Sequence, residues 1–294
     1  MSHSFPSPVG ESSAELLSGR PRALGRGKRL LVTALVIVLG LALAIRIAMS
    51  GAIAWSVALA FFFHPAILQG LLMTLELTAL SMAIGVVLGT FLAVMAISRY
   101  PAVKAAAMLY VWLFRGTPLL VQLIFWFNIA LVFPVIGIGP WQIPINSLVT
   151  PFAAALLGLG LNEGAYMAEI VRAGIISVDK GQSEAAVSVG LSDRQVMSYI
   201  VLPQALNVII PPTANQAIGM LKNTSLVSVI GAQELLTKTE DVYARNFQVI
   251  ELLIVASVWY LALTTLASAV QYWLEHRFND ARAPRLAVMV GTVP

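Results

Sequence analysis

An all-α integral membrane protein is the fold class this sequence predicts, and three observations predict it. Of 294 residues, 59% are apolar and only 11% charged, where a typical soluble domain is about a quarter charged. Mean hydropathy is +0.85, so a soluble globule would have too few polar side chains to cover itself. Apolar runs of the ~20 residues a bilayer crossing needs recur six times, and no stretch shows the roughly ten-residue alternation of a barrel strand. The absence of cysteine excludes a disulfide scaffold, a thiolate metal site and a cysteine nucleophile. His3, His64 and His276 have no ligand-like spacing, so no metal is expected.

In chain order, residues 1–28, rich in Ser, Pro, Gly and Arg, read as a disordered cytoplasmic tail. Residues 29–49 are the first span, its apolar run extending from about Leu30 to Met49. A rival reading is a signal peptide, with small residues at Ser50 to Ala52 after the run; the basic arm is long for that, and an anchor is expected. Residues 50–65, with Trp55 and Phe61 to Phe63, suit an interfacial segment outside the membrane. The further spans run about Ala66–Ser98, Tyr110–Val135, Phe152–Ile176, Ile210–Ile230 and Val249–Trp273. Several exceed one crossing, so tilt is expected. Residues 66–277 form one membrane domain, and 278–294 a cytoplasmic tail.

The net charge of +4 is explained by position and points to lipid rather than nucleic acid. Arg20, Arg22, Arg26, Lys28 and Arg29 precede the first span; Arg99 and Lys104 separate the second from the third, and Lys180 and Arg194 the fourth from the fifth. Arg277, Arg282 and Arg285 follow the last. The other side holds Arg46, Lys238 and Arg245, offset by Glu234, Glu240 and Asp241. Basic residues collect on the cytoplasmic side, so six spans with both termini cytoplasmic are expected.

At membrane depth, Thr74, Thr78, Ser81, Gly85, Gly89 and Ala93 form one small-residue stripe, which lets another helix approach closely. Glu76 lies in the same span but off the stripe. Asn162, Tyr166 and Glu169 share a face of the fourth span, and Glu169 can pair with Arg172 one turn on. Asn215, Gly219 and Lys222 share a face of the fifth. A charge at mid-bilayer costs roughly 2.5–3.5 kcal/mol, so Glu76, Glu163, Glu169 and Lys222 must face one another, a partner or a water-filled path. For Glu169 and Arg172 a structural ion pair is the simpler reading. Glu163, Asn162, Lys222 and Glu76 are candidates for a substrate path, with buried ion pairs left open as the alternative.

Between the fourth and fifth spans, Gln182 to Val189 reads as a short helix, Gly190 as a turn, and Ser192 as the cap of a second helix starting near Asp193. The run Glu184-Ala185-Ala186, Gly190, Ile200, Leu202-Pro203 resembles the EAA loop of the permease subunits of ABC importers. Arg115-Gly116-Thr117-Pro118-Leu119-Leu120-Val121-Gln122, the Asn162 to Ile175 segment and Lys222-Asn223-Thr224-Ser225-Leu226 are similar to motifs of its polar amino acid branch (histidine, glutamate, glutamine, arginine and opine permeases). The resemblance covers roughly Ile67 to Arg277. Many relatives have five spans, and residues 1–66 with their extra span are a departure.

The resemblance implies a type I ABC importer permease core of five helices plus one extra N-terminal helix, in a bacterial inner membrane. It implies a second permease (the same chain or a relative), two ATPase subunits and an extracytoplasmic amino acid binding protein. ATP and Mg would sit on the partner ATPase, with no cofactor on this chain, which contains no Gly-x4-Gly-Lys-Ser/Thr loop. In the loop 179–203, Glu184, Ala185, Ala186, Gly190, Leu191 and Arg194 are expected at the ATPase interface. An ion-coupled secondary transporter is the alternative, since it too buries charges and breaks helices; no internal repeat supports it. A membrane enzyme would need a nucleophile–base pairing that is not seen.

Overall fold

A computed structural model describes residues 26–51, 53–138 and 141–280. The tails expected at 1–28 and 278–294 lie almost wholly outside the described residues. Contacts divide the chain into two units, Met1–Ile53 and Ala54–Pro294. The first contains α1 (Arg26–Ala48), an apolar helix with Arg46 in its last turn, where a cation complements the unpaired carbonyls.

The second unit begins with α2 (Trp55–Phe62), a helix inside the segment expected to be interfacial. The Trp259 indole N–H donates to the Phe62 carbonyl at 2.9 Å, and the two rings stack at 4.9 Å. Pro65 opens α3 (Pro65–Ala96) at a position where a missing N–H costs nothing. All six members of the small-residue stripe on α3 are buried. Thr74 accepts from Leu235 N at 3.2 Å, and the glycines of the stripe meet α7 (Pro151–Ile176), started by Thr150, whose hydroxyl oxygen accepts from Ala153 N at 3.1 Å. The two backbones approach so closely that a Cβ on Gly85 would lie 2.4 Å from Glu163 Cγ, and one on Gly89 2.4 Å from Met167 Cβ.

Half of the 26 residues of α7 are buried. It is long enough to span a membrane, about 39 Å at 1.5 Å per residue, yet it is absent from the four helices apolar enough to qualify: Gly27–Ala48, Pro65–Ala96, Asp193–Ile230 and Val249–His276. A helix enclosed by other helices can carry Asn162, Glu163, Glu169 and Arg172 because protein, not lipid, surrounds it.

The third span expected over Tyr110–Val135 is not one straight helix. The chain makes α4 (Pro101–Gly116) and α5 (Leu119–Phe127), bent by 101°. The cause is local: Pro118 disfavours helical geometry in its predecessor, and Thr117 is extended at φ −115, ψ 143. Beyond α5 the strands β1 (Val135–Ile138) and β2 (Trp141–Pro144) form an antiparallel hairpin, Ile136 opposite Ile143, before the short α6 (Ile145–Leu148). The fold is therefore helical with one hairpin, whose strands are too short to register as alternation.

After α7 come α8 (Lys180–Ser188) and α9 (Asp193–Gln195), which passes through a π-helical turn at Val196–Val201 into α10 (Leu202–Asn223). The helix starts eight residues before the apolar run expected at Ile210 and contains Pro211 and Pro212. It tightens into a 3-10 segment, Thr224–Ile230, ended by Gly231 at φ +73. Two helices complete the unit, α11 (Leu235–Asn246) and α12 (Val249–Asp280). Glu234, counted from sequence among the outside charges, is fully buried. Its carboxylate accepts from Tyr260 OH at 2.5 Å and Thr237 N at 2.8 Å, tying α11 to α12.

Candidate functional site

A cavity of about 520 Å³ opens where the α4–α5 break, α7 and α10 meet. Arg115 and Thr117 come from the break, Asn162, Glu163 and Tyr166 from α7, and Gln216 and Asn223 from α10. A chain of hydrogen bonds holds the break against α7. The Gln122 amide donates to Phe114 O at 2.8 Å and to Thr117 Oγ1 at 2.7 Å, and Asn162 donates to Phe114 O at 3.0 Å and Gln122 Oε1 at 3.2 Å. Gln122 and Asn162 thus both satisfy the Phe114 carbonyl, left open by the end of α4.

Glu163 is 4% exposed, and its Oε1 has no hydrogen-bond partner. A buried carboxylate oxygen without a donor is costly, and Gly85 leaves it no room to swing toward α3. Toward the α8 end of α7, Arg172 holds Glu169 with two bonds of 3.0 and 3.1 Å, the structural pair expected from the sequence. Arg115 approaches the same carboxylate at 3.6 Å.

Asn162 and Glu163 are thus brought together in one cavity, whereas Lys222 and Glu76 are not among its lining residues. Both of those are exposed on the protein surface. Lys222 follows Gly219 by three residues, about 60° short of a full turn, while its neighbour Asn223 takes the cavity position. Glu76 points nearly opposite to the glycine face that meets α7. The residues missed are Arg115, Gln216 and Asn223; Arg115 sits in a segment whose Gly-Thr-Pro sequence was the available signal.

The second candidate region, 179–203, forms a compact module. Asp179 caps α8, its Oδ1 accepting from Gly181 N at 2.6 Å. Gly190 has φ +90, a conformation that non-glycine residues avoid. Ser192 caps α9, and Gln195 Oε1 accepts from its N–H at 2.9 Å and its hydroxyl at 2.8 Å. Ala186, Val196 and Val201 are buried together, with the half-buried Leu191 packed against them, so Ala186 builds the core of the module and Leu191 lies at its edge. Glu184, Ala185, Gly190 and Arg194 are exposed. Glu184, Val187, Asp193 and Met197 border a groove of about 400 Å³, and Gln204 on α10 donates to Gln182 Oε1 on α8 at 2.6 Å.

Residues 85–280 match the family described as the binding-protein-dependent transport system inner membrane component. The chain belongs to that family. It is 40% identical over 272 residues to the arginine transport system permease protein ArgU of Corynebacterium glutamicum, covering 92% of this chain and 86% of that one. It is 37% identical to the L-cystine transport system permease protein TcyB of Bacillus subtilis (78% and 92% covered) and 34% to the glutamine transport system permease protein GlnP of Escherichia coli K12 (73% and 94% covered). A crystal structure of an amino acid ABC transporter with histidines aligns at TM-score 0.65 and 37% identity, over 73% of this chain and 95% of that one. A methionine ABC transporter in an inward-facing conformation shares the fold at TM-score 0.61 and 18% identity. A member of this family is an integral permease subunit of the inner membrane; ATP is hydrolysed by a separate partner, and an extracytoplasmic binding protein delivers the solute. The secondary transporter is not favoured.

Proposed function

We propose that this chain forms the translocation path of an ATP-driven importer of polar or charged amino acids, with the α4–α5/α7/α10 cavity as part of that path. The observation that carries the reading is continuity. One wall of the cavity, α10, runs unbroken from the exposed 179–203 module, as a helical stretch of 38 residues, Asp193–Ile230. A push on the module is therefore a push on Gln216 and Asn223. ATP-driven closure of two ATPases gripping Glu184, Ala185, Gly190 and Arg194 would bias the two states of such a lever differently, which is what coupling requires. Ala186 serves that interface from within, by keeping the module rigid, with Leu191 at its edge.

The four apolar helices, the bent α4–α5 pair and the enclosed α7 make six crossings in this reading, with both termini cytoplasmic. The path is completed by a second permease, the same chain or a relative. Glu163 is the group that meets the positive charge of the substrate, with Asn162 beside it. The absence of cysteine gives a clean test: a single cysteine at position 184, cross-linked in native membranes and pulled down by a tag, should capture an ATPase subunit. Recovery of the chain alone would overturn the coupling assignment.

A further inference from the structure

We propose that Arg115 binds the substrate carboxylate, and that it is available to do so because Glu169 is already satisfied by Arg172; this rests on the cavity being an amino acid path. Arg115 lies in the last turn of α4, beside the break that opens the cavity. Its guanidinium carbon is 5.3 Å from the centre of the Tyr166 ring, a cation–π distance that turns the flat group along the cavity wall. It forms no hydrogen bond among the described residues, and its one ion pair, to Glu169 Oε2, is 3.6 Å long, beyond an ordinary charge-assisted bond.

Glu169 does not depend on that contact. Arg172 grips both of its oxygens with Nε and Nη2, so withdrawing Arg115 strands no anion. Arg115 is therefore a guanidinium with its fork of donors unspent, 42% exposed at the side chain, and lining a 520 Å³ cavity whose other wall carries the unpartnered Glu163 oxygen. An α-amino acid offers the two complementary groups, a carboxylate for the planar fork and an ammonium or cationic side chain for Glu163. Lys222, which the sequence offered for the carboxylate, is absent from this lining.

The test is equilibrium binding to the purified complex with its ATPases, without binding protein, in lipid nanodiscs. The probes are L-arginine and L-histidine, each against its C-terminal amide, which keeps the ammonium and removes the carboxylate. The unaltered complex should prefer at least one acid over its amide by about tenfold or more, the worth of a charge-assisted bond. Arg115→Gln should erase that preference, and Arg115→Lys should restore part of it. Glu169→Gln should strengthen binding of the acid severalfold while leaving the amide unchanged, because it removes the competing carboxylate. A preference for the acid that survives in Arg115→Gln would overturn the assignment of Arg115 alone. Equal weakening of acid and amide in Glu169→Gln would make the pair structural and overturn it too. If the unaltered complex bound none of the four probes, the reading of the cavity itself would fall.

Discussion

The cavity and the 179–203 module are built from similar residues and solve opposite problems. In the module the uncharged polar side chains and the capping Asp179 are largely spent internally: Asp179 and Ser192 cap helices, Gln195 closes on Ser192, and Gln204 reaches back to Gln182, while Glu184 and Arg194 stay exposed. Its apolar side chains form a small core of their own around Ala186. In the cavity the pattern reverses, with one oxygen of the buried Glu163 carboxylate lacking a donor and Arg115 only loosely held. A part that must transmit force is stabilised by satisfying itself, whereas a part that must receive a ligand keeps its polar groups in reserve. The comparison separates transmission from reception within one chain.

Breaking the cavity wall should have the largest effect. Gly85→Val places a branched side chain where even a Cβ would be 2.4 Å from Glu163 Cγ, so α3 and α7 must part. Overpacking typically costs 1–3 kcal/mol, here on a backbone contact that cannot relax cheaply. Thermal denaturation of the detergent-solubilised protein should show a clear loss of stability, and an unshifted transition would refute the close-packed account. Next comes the module: Gly190→Asp forces a side chain into φ +90, at about 1–2 kcal/mol, without opening the bundle. The variant should remain in the membrane and lose uptake while ATP hydrolysis continues. Unchanged uptake would end the coupling assignment. The smallest and most selective effect is expected at Glu163→Gln, which should reduce transport of cationic substrates by about tenfold, as for a lost charge-assisted contact, with neutral substrates little changed. An equal loss for all substrates would return Glu163 to a structural role.

Much of this was legible because it depends on local chemistry. The stripe from Thr74 to Ala93 identified the packed face of α3, since small residues repeating every three or four positions have one physical use in a membrane helix. The cap at Ser192 and the turn at Gly190 were readable for the same reason. What escaped was three-dimensional. Pro118 was visible, but the apolar run on either side of it concealed a 101° bend. Glu234 stood among charges that do face outward, and only tertiary packing brings Tyr260 to it. Lys222 and Asn223 are neighbours in sequence, and a rotation of about 100° between them decides which one reaches the cavity.

Gly85 and Gly89 carry a consequence for how selectivity can be retuned. Where they bring α3 against α7, the support behind Glu163 is main chain, and its position is indifferent to side-chain exchange. Variation at that wall has nowhere to go except into a clash. The opposite wall, Gln216 and Asn223 on α10, is made of side chains: Gln216 reaches the Glu163 carboxylate, whereas Asn223 is exposed and can change length or charge with the least disturbance. The site is therefore adjustable from one side only, and a redesign toward another solute would begin on α10 with the glycine side left untouched.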